Sequence, residues 1–290
     1  MRCVRQAGRT AGGILTRPAL LVVTSDIHVG STIGPCPPEG VRLDDEGKYL
    51  PSRAQRWIWD NWVDFWDTVA ALRKKEKADL YCVFNGDLFE GSHHGTTQIV
   101  SNNPEPAAYL AGRVFGVPRD LKPTRLFIVR GTEAHVGPSG ATEEAFARTI
   151  NAEQNPETKT WSWWHLQLEL HGTLFDFQHH GRMGQRPWTR QNVVSNLAAQ
   201  IFYERARRGL RHPDIAFRSH FHQFQDTHDA HPVRVIQLPA WQLKTSHAHK
   251  VAADSLADIG GVTVLVNPNG QLEVIAKLYQ PELPPVWRPA

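Results

Sequence analysis

The chain has 290 residues, of which 41% are hydrophobic, 21% charged and 9% aromatic, and 32 Lys plus Arg against 29 acids give a formal charge of +3. This composition excludes a disordered or fibrous chain and a coiled coil, and the length suffices for one large core in a single generous domain. So mild a charge neither requires nor excludes a nucleic-acid partner.

The longest apolar run, Ala19 to Val23, is too short to cross a bilayer, so no membrane association is expected. The cysteines Cys3, Cys36 and Cys82 are odd in number and scattered, which gives no disulfide framework and favours a reducing, cytoplasmic compartment. Histidine is over-represented: there are 15, and 11 of them fall between His165 and His249. Imidazole is the commonest metal ligand and the usual proton carrier near neutral pH, so a metal site is the first thing to seek.

Residues 1–18 carry Arg2, Arg5, Arg9 and Arg17 and no acid, which reads as a flexible leader ahead of a single domain over 19–290. Leu20 to Thr24 is a short, β-branched, buried strand that opens onto Asp26 and His28. After the Gly/Pro/Asp-rich loop from Pro35 to Pro51, Ser52 caps a helix. Its apolar positions Ile58, Trp62, Phe65, Val69 and Leu72 step by fours and threes. Asp79 to Asn85 is a second strand leading into Gly86-Asp87, and Arg125 to Arg130 a third leading into Gly131. Strand, loop, helix, strand is the rhythm of an α/β protein.

The second half alternates. Trp164 to Leu170 has the period of a half-buried strand, and Thr173 to His179 returns as its partner. A helix capped by Thr189 runs to Arg208 and stops near Gly209. Ile215 to Ser219 and Val233 to Leu238 are short strands, and Asn269-Gly270 predicts a type I′ hairpin between Val262–Val266 and Leu272–Leu278.

Four loops beyond predicted strands hold the candidate ligands: Asp26-Ile27-His28, Gly86-Asp87, His179-His180-Gly181 and His220-Phe221-His222. Strand ends are where α/β proteins place their sites. Alternate residues of an extended segment share a face, so Asp26 with His28, and His220 with His222, can aim into one cavity. Carboxylate plus imidazole without thiolate suits a catalytic Mn, Fe or Zn site rather than a closed structural zinc.

This ordered set resembles the calcineurin-like metallophosphoesterase superfamily, whose pattern is D-x-H, G-D, G-N-H-[DE], a His usually followed by Gly, and G-H-x-H. The likeness runs from about Leu20 to His222, and the texture of Gly86-Asp-Leu-Phe-Glu-Gly-Ser-His-His is most similar to phage or prophage members. It implies two facing mixed β-sheets flanked by helices. It also implies two divalent metal ions, manganese first and iron, zinc or magnesium as alternatives, and hydrolysis of a phosphoester by water activated between them.

On that likeness Asp26, His28 and His222 would hold one metal, His180 and His220 the other, and Asp87 would bridge them. His179 is the alternative to His180, which is preferred because glycine follows it. The third motif departs from the family. Gly131-Thr132-Glu133-Ala134-His135 lacks the asparagine ligand; Thr132, in its place, offers a hydroxyl that is a poor substitute, so water or Glu133 would complete the second site, and His135, displaced by two residues, becomes the general acid. His93, His94 and Arg182 are further candidates around the metals or the substrate.

Seven arginines between Arg182 and Arg211 against the single acid Glu204 could guide a polyanion, with Trp188 and Trp241 available for base stacking. The expected activity is phosphodiester hydrolysis, with nucleic acid among the substrates considered. The alternatives are a phosphomonoesterase acting on a nucleotide or phosphoprotein, a mononuclear metal hydrolase, and a non-catalytic scaffold with a degraded second metal site.

Overall fold

The computed structural model describes residues 16–92, 96–184, 186–251, 255–281 and 286–288. In chain order the first half forms β1 (Ala19–Thr24), a small hairpin of β2 (Val41–Arg42) and β3 (Lys48–Tyr49), α1 (Arg53–Glu76), β4 (Asp79–Asn85), α2 (Pro104–Asp120), β5 (Arg125–Val129), α3 (Glu133–Val136) and α4 (Ala141–Thr149). The second half forms β6 (Leu166–Leu170), β7 (Thr173–His180), α5 (Arg190–Arg207), β8 (Ile215–Ser219), β9 (Gln225–Asp226), β10 (Arg234–Gln237), α6 (Ser246–Val251), β11 (Ile259–Val266) and β12 (Leu272–Tyr279).

Two five-stranded mixed sheets face each other, in the orders β12-β11-β1-β4-β5 and β6-β7-β8-β10-β9. Strand alternation builds the layers. Ala19, Leu21 and Val23 of β1 point between the sheets, where they meet Phe175, Phe177 and Phe217, while Leu20 and Val22 point to the helix side. There Trp62, Phe65 and Trp66 of α1 are buried, and Trp62 donates its indole N–H to the carbonyl of Val114 in α2 at 2.9 Å. On the far face α5 packs Val194 and Ala198 against Ala216 and Val235. The result is a helix–sheet–sheet–helix sandwich. Within it β1, β4 and β5 run parallel, as do β7, β8 and β10, so their C-terminal ends gather at one edge.

Local chemistry sets the ends of α1. Ser52 and Gln55 form a reciprocal capping box at the start of α1, and Arg73, Lys74 and Lys75 complement the dipole at its end. No residue pattern announces α2, whose Gly112, Gly116, Pro106 and Pro118 carry a poor intrinsic propensity. Burial of Leu110, Val114 and Phe115 outweighs it.

Three expectations change. Thr189 makes no side-chain cap on α5; its hydroxyl donates to Arg186 O at 2.9 Å within a short 3₁₀ turn. The Asn269-Gly270 turn has positive φ at Gly270 and not at Asn269, and Gly270 N–H closes onto Asn267 O at 2.8 Å, so it is not the type I′ turn, which needs both. Trp241 is fully buried against Trp62 and Phe65, so it stacks on no ligand. Of the expected leader, residues 1–15 lie outside the described residues. Arg17 and Pro18 already bond to the fold, accepting from His171 and from Asp79 N–H. Among the described residues no helix is long and apolar enough to cross a membrane.

Candidate metal centre

The gathered strand ends carry the donors. Asp26 and His28 follow β1, Asp87 follows β4, Thr132 and His135 follow β5, His179 is the last residue but one of β7, and His220 and His222 follow β8. The two D-x-H-like pairs do not converge by extended alternation. Asp26 (φ 51°), His28 (48°), Asp87 (53°), His220 (81°) and His222 (54°) all adopt the left-handed backbone region. Each such residue costs about 1–2 kcal/mol, and Asp and His bear it better than β-branched residues. Strain concentrated on one constellation marks a functional site. Gly131 makes room for it, since a Cβ there would fall 2.2 Å from both N and Oδ1 of Asp87.

Among the described residues three groups of donors lie close enough to hold a cation: Asp26, His28 and His222; Asp87, His179 and His220; and His28, Asp87 and His135. His28 Nε2 and His222 Nε2 stand 3.3 Å apart, and His222 Nε2 is 3.4 Å from Asp26 Oδ1. Asp26 Oδ2 accepts the His220 backbone N–H at 3.2 Å, while Oδ1 is buried without a hydrogen-bond partner. An orphaned carboxylate oxygen facing imidazole nitrogens is an unfavourable arrangement for the polypeptide alone, and a cation resolves it.

His179 argues the same way. Its Nδ1–H donates to Asn85 O at 2.7 Å, so Nε2, which lies 3.0 Å from Asp87 Oδ2, is the atom left to bind. Burial would lower this imidazole, but Asp87 and Asp26 outweigh it and push the pKa up to about 10. Without a metal, the ring must keep a second proton to face two carboxylates. Burial likewise works against the ionised forms of Asp26 and Asp87. Even so, the His222 and His179 imidazoles hold the first below the usual carboxylate range, and His179 chiefly holds the second there. The donor set therefore fits divalent cations.

The ring aimed at Asp87 belongs to His179, not to the preferred His180. Along β7, Phe175, Phe177 and His179 share the face between the sheets, while Asp176, Gln178 and His180 share the outer face. His180 is exposed, its ring centroid 5.0 Å from that of His220, and it belongs to none of the donor groups. The period-2 rule applied from the two phenylalanines would have found this.

Thr132 does reach the site. Its Oγ1 lies 3.1 Å from His220 Nδ1, and its N–H donates to Asp87 Oδ1 at 2.6 Å. Glu133 does not; it is exposed and accepts Ser139 N–H at 2.8 Å. Arg182 lies on the outer face of the second sheet, and His93 and His94 lie outside the described residues. His135 stacks edge-on with His28, ring centroids 4.6 Å apart.

Two further residues were not legible in the sequence. Glu90 stands between two imidazoles, its Oε1 accepting from His135 Nδ1 at 3.2 Å and its Oε2 lying 3.3 Å from His28 Nδ1. Burial lowers the His135 imidazole, but Glu90 and then Asp87 outweigh it and raise its pKa. Glu143 of α4 is fully buried and accepts two backbone donors, Gly131 N–H at 2.7 Å and Leu88 N–H at 3.1 Å, which ties the loops after β4 and β5 together.

Above the donors lies a cavity of about 380 Å³. His28, His135, His220, His222 and Lys244 line it, and Met183, Phe221 and Leu256 form an apolar wall.

No protein-family model matches the chain, and no curated protein matches it in sequence. Similar solved structures include Vps29 from Entamoeba histolytica in complex with zinc, at 9% identity over 89% of this chain and 98% of that one, with a TM-score of 0.39. A dimetal phosphatase from Danio rerio gives 10% identity, 90% and 99% coverage and a TM-score of 0.42. The 5′-nucleotidase precursor of Thermus thermophilus gives 13% identity and a TM-score of 0.41, with 90% of this chain spanning 54% of that one. Likenesses this distant assign no family, so the functional reading rests on the site.

Proposed function

We propose that the chain is a metal-dependent phosphoester hydrolase of the calcineurin-like kind, acting on a phosphodiester. The observation that carries this is the buried Asp87 carboxylate set between His179, His220 and the Asp26–His28–His222 group, a donor set of imidazoles and carboxylates. Asp26, His28 and His222 would hold one divalent cation and Asp87, His179 and His220 a second, for which manganese suits the donors. When bound, the cations supply a water of lowered pKa and neutralise charge developing on the phosphoryl oxygens.

The chain's own groups do the rest. Asn85 O fixes the His179 tautomer, which turns Nε2 towards Asp87. His135, raised by Glu90 and Asp87, carries the proton that a departing alkoxide needs. Thr132 stands where the resembling family has its asparagine and contacts His220 instead, which favours a second reading of weakened second-metal binding and a scaffold role.

The test is hydrolysis of a chromogenic phosphodiester and its monoester counterpart with added Mn²⁺, comparing wild type with Asp87→Asn. Turnover of the diester that disappears in the variant supports the hydrolase. Preference for the monoester selects the phosphomonoesterase. Wild type inert on both, with no metal retained on dialysis, supports the scaffold.

A further inference from the structure

The structure sorts the seven arginines between Arg182 and Arg211. Arg190 donates to Ser255 Oγ at 2.7 Å, Arg207 to Glu204 at 3.0 Å, and Arg211 to Glu169 at 2.9 Å. Arg208 lies 3.6 Å from Glu204, and Arg186 sits 6.0 Å over the Trp188 ring. Arg205 lies 3.6 Å from Asp176, and it and Arg182 line a cavity of about 310 Å³ on the outer face of the second sheet, together with Arg218, His180, Gln178 and Gln200.

Arg218 comes from β8 and is only 5% exposed. Two acids share this cavity, and both are already matched. Asp176 accepts from Arg218 at 2.8 Å, lies 3.6 Å from Arg205 and contacts His165 at 2.5 Å, while Glu204 is held by Arg207 and Arg208, which leaves three lining arginines against two acids. Positive charge is therefore in surplus at the mouth. Guanidinium groups ringed by amide side chains suit the oxygens of a phosphate.

The cavity abuts the candidate metal centre. His180 lines it, His220 lines the cavity above the donors, and the two rings are 5.0 Å apart. The segment after His180 runs along both, with Arg182 on the arginine side and Met183 on the metal side. Farther along it, Trp188 is 75% exposed and lies two residues before Arg190, which reaches Ser255 on the wall of the metal-side cavity. An exposed indole beside a basic surface is a platform on which a base stacks.

We propose that the arginine-lined cavity is a second phosphate subsite and that the substrate is a nucleic-acid strand, one phosphodiester lying at the metal centre while a neighbouring phosphate is held by Arg182, Arg205 and Arg218. This rests on the hydrolase reading for its chemistry, but the binding itself does not need the metals. It gives His180 a place beside the strand rather than among the ligands.

The test is fluorescence anisotropy of a labelled single-stranded oligonucleotide of about ten nucleotides, titrated with the full chain in EDTA over a series of salt concentrations. Arg182→Ala/Arg205→Ala is compared with Arg148→Ala/Arg211→Ala, which removes the same charge elsewhere, and thermal melting checks that each variant folds. Each lost single-strand phosphate contact removes about 0.7 from the slope of log K against log salt, so the cavity variant, losing the one subsite phosphate, should fall by about 0.7 and bind at least about tenfold more weakly. The control should keep the wild-type slope. Arg182→Ala alone, at an exposed position, should give part of the loss.

Equal losses in both double variants, or a wild type that binds no strand at low salt, overturn the subsite. Because no metal is present, this result stands apart from the Asp87→Asn comparison, which alone decides the hydrolase.

Discussion

Glu143 offers the sharpest test of how the site is held together. Its carboxylate is fully buried, and burial followed by the nearby Asp87 charge pushes its pKa from 4.5 up to about 7. A folded-state pKa above the unfolded value means that the folded protein holds a proton the unfolded chain releases. The stability linked to that proton is complete below about pH 4.5 and is lost as pH rises through about 7.

At about 1.4 kcal/mol per unit, a shift of this size is worth about 3 kcal/mol. Glu143→Gln removes the titration and turns an amide NH₂ toward one of two backbone donors, Gly131 N–H or Leu88 N–H. An unmatched buried donor costs about 1–3 kcal/mol, so near pH 5 the wild type is the more stable. By about pH 8 the wild type bears the buried charge and its advantage shrinks by about 3 kcal/mol, enough to vanish or reverse. Urea unfolding of both proteins in EDTA at the two pH values reads this difference, because titrating groups that do not interact with Glu143 cancel. A stability difference that stays constant with pH would refute the reasoning.

The choice between adjacent histidines gives a second prediction: His179→Ala should lower bound manganese after dialysis from about two per chain towards one, while His180→Ala leaves it unchanged. The opposite pattern would return the ligand role to His180. For Glu90→Gln, which keeps the shape and removes the charge, manganese affinity by calorimetry should fall about 10–100-fold. In the metal-free protein the His135 imidazole pKa, followed by NMR, should drop because its anionic partner is gone. An unchanged titration would mean that Glu90 does not set the state of His135.

The strands β1, β4, β5, β7 and β8 could be read from their apolar runs and alternation, because burial on one or both faces leaves a direct imprint on residue order. The carboxylates and imidazoles were legible because few other residues can serve a cation, and their loops follow those strands. What a short motif cannot encode is direction. His179 and His180 are equal as letters, and only the β7 face, shared with Phe175 and Phe177, turns one towards Asp87 and the other outward. The left-handed backbone at Asp26, His28, Asp87, His220 and His222 leaves no mark in composition, since it is imposed by packing between the strand ends.

Glu90 and Glu143 look like any surface acids until α4 and the loop after β4 close over them. The arginine run shows the same division. The sequence by itself determined that positive charge follows His180, and only the tertiary structure decided which guanidinium groups turn to Glu169, Glu204 and Ser255 and which line a cavity, Arg205 there beside Asp176. Residue type sets what a side chain can do; the approach of segments far apart in the chain sets which partner it meets.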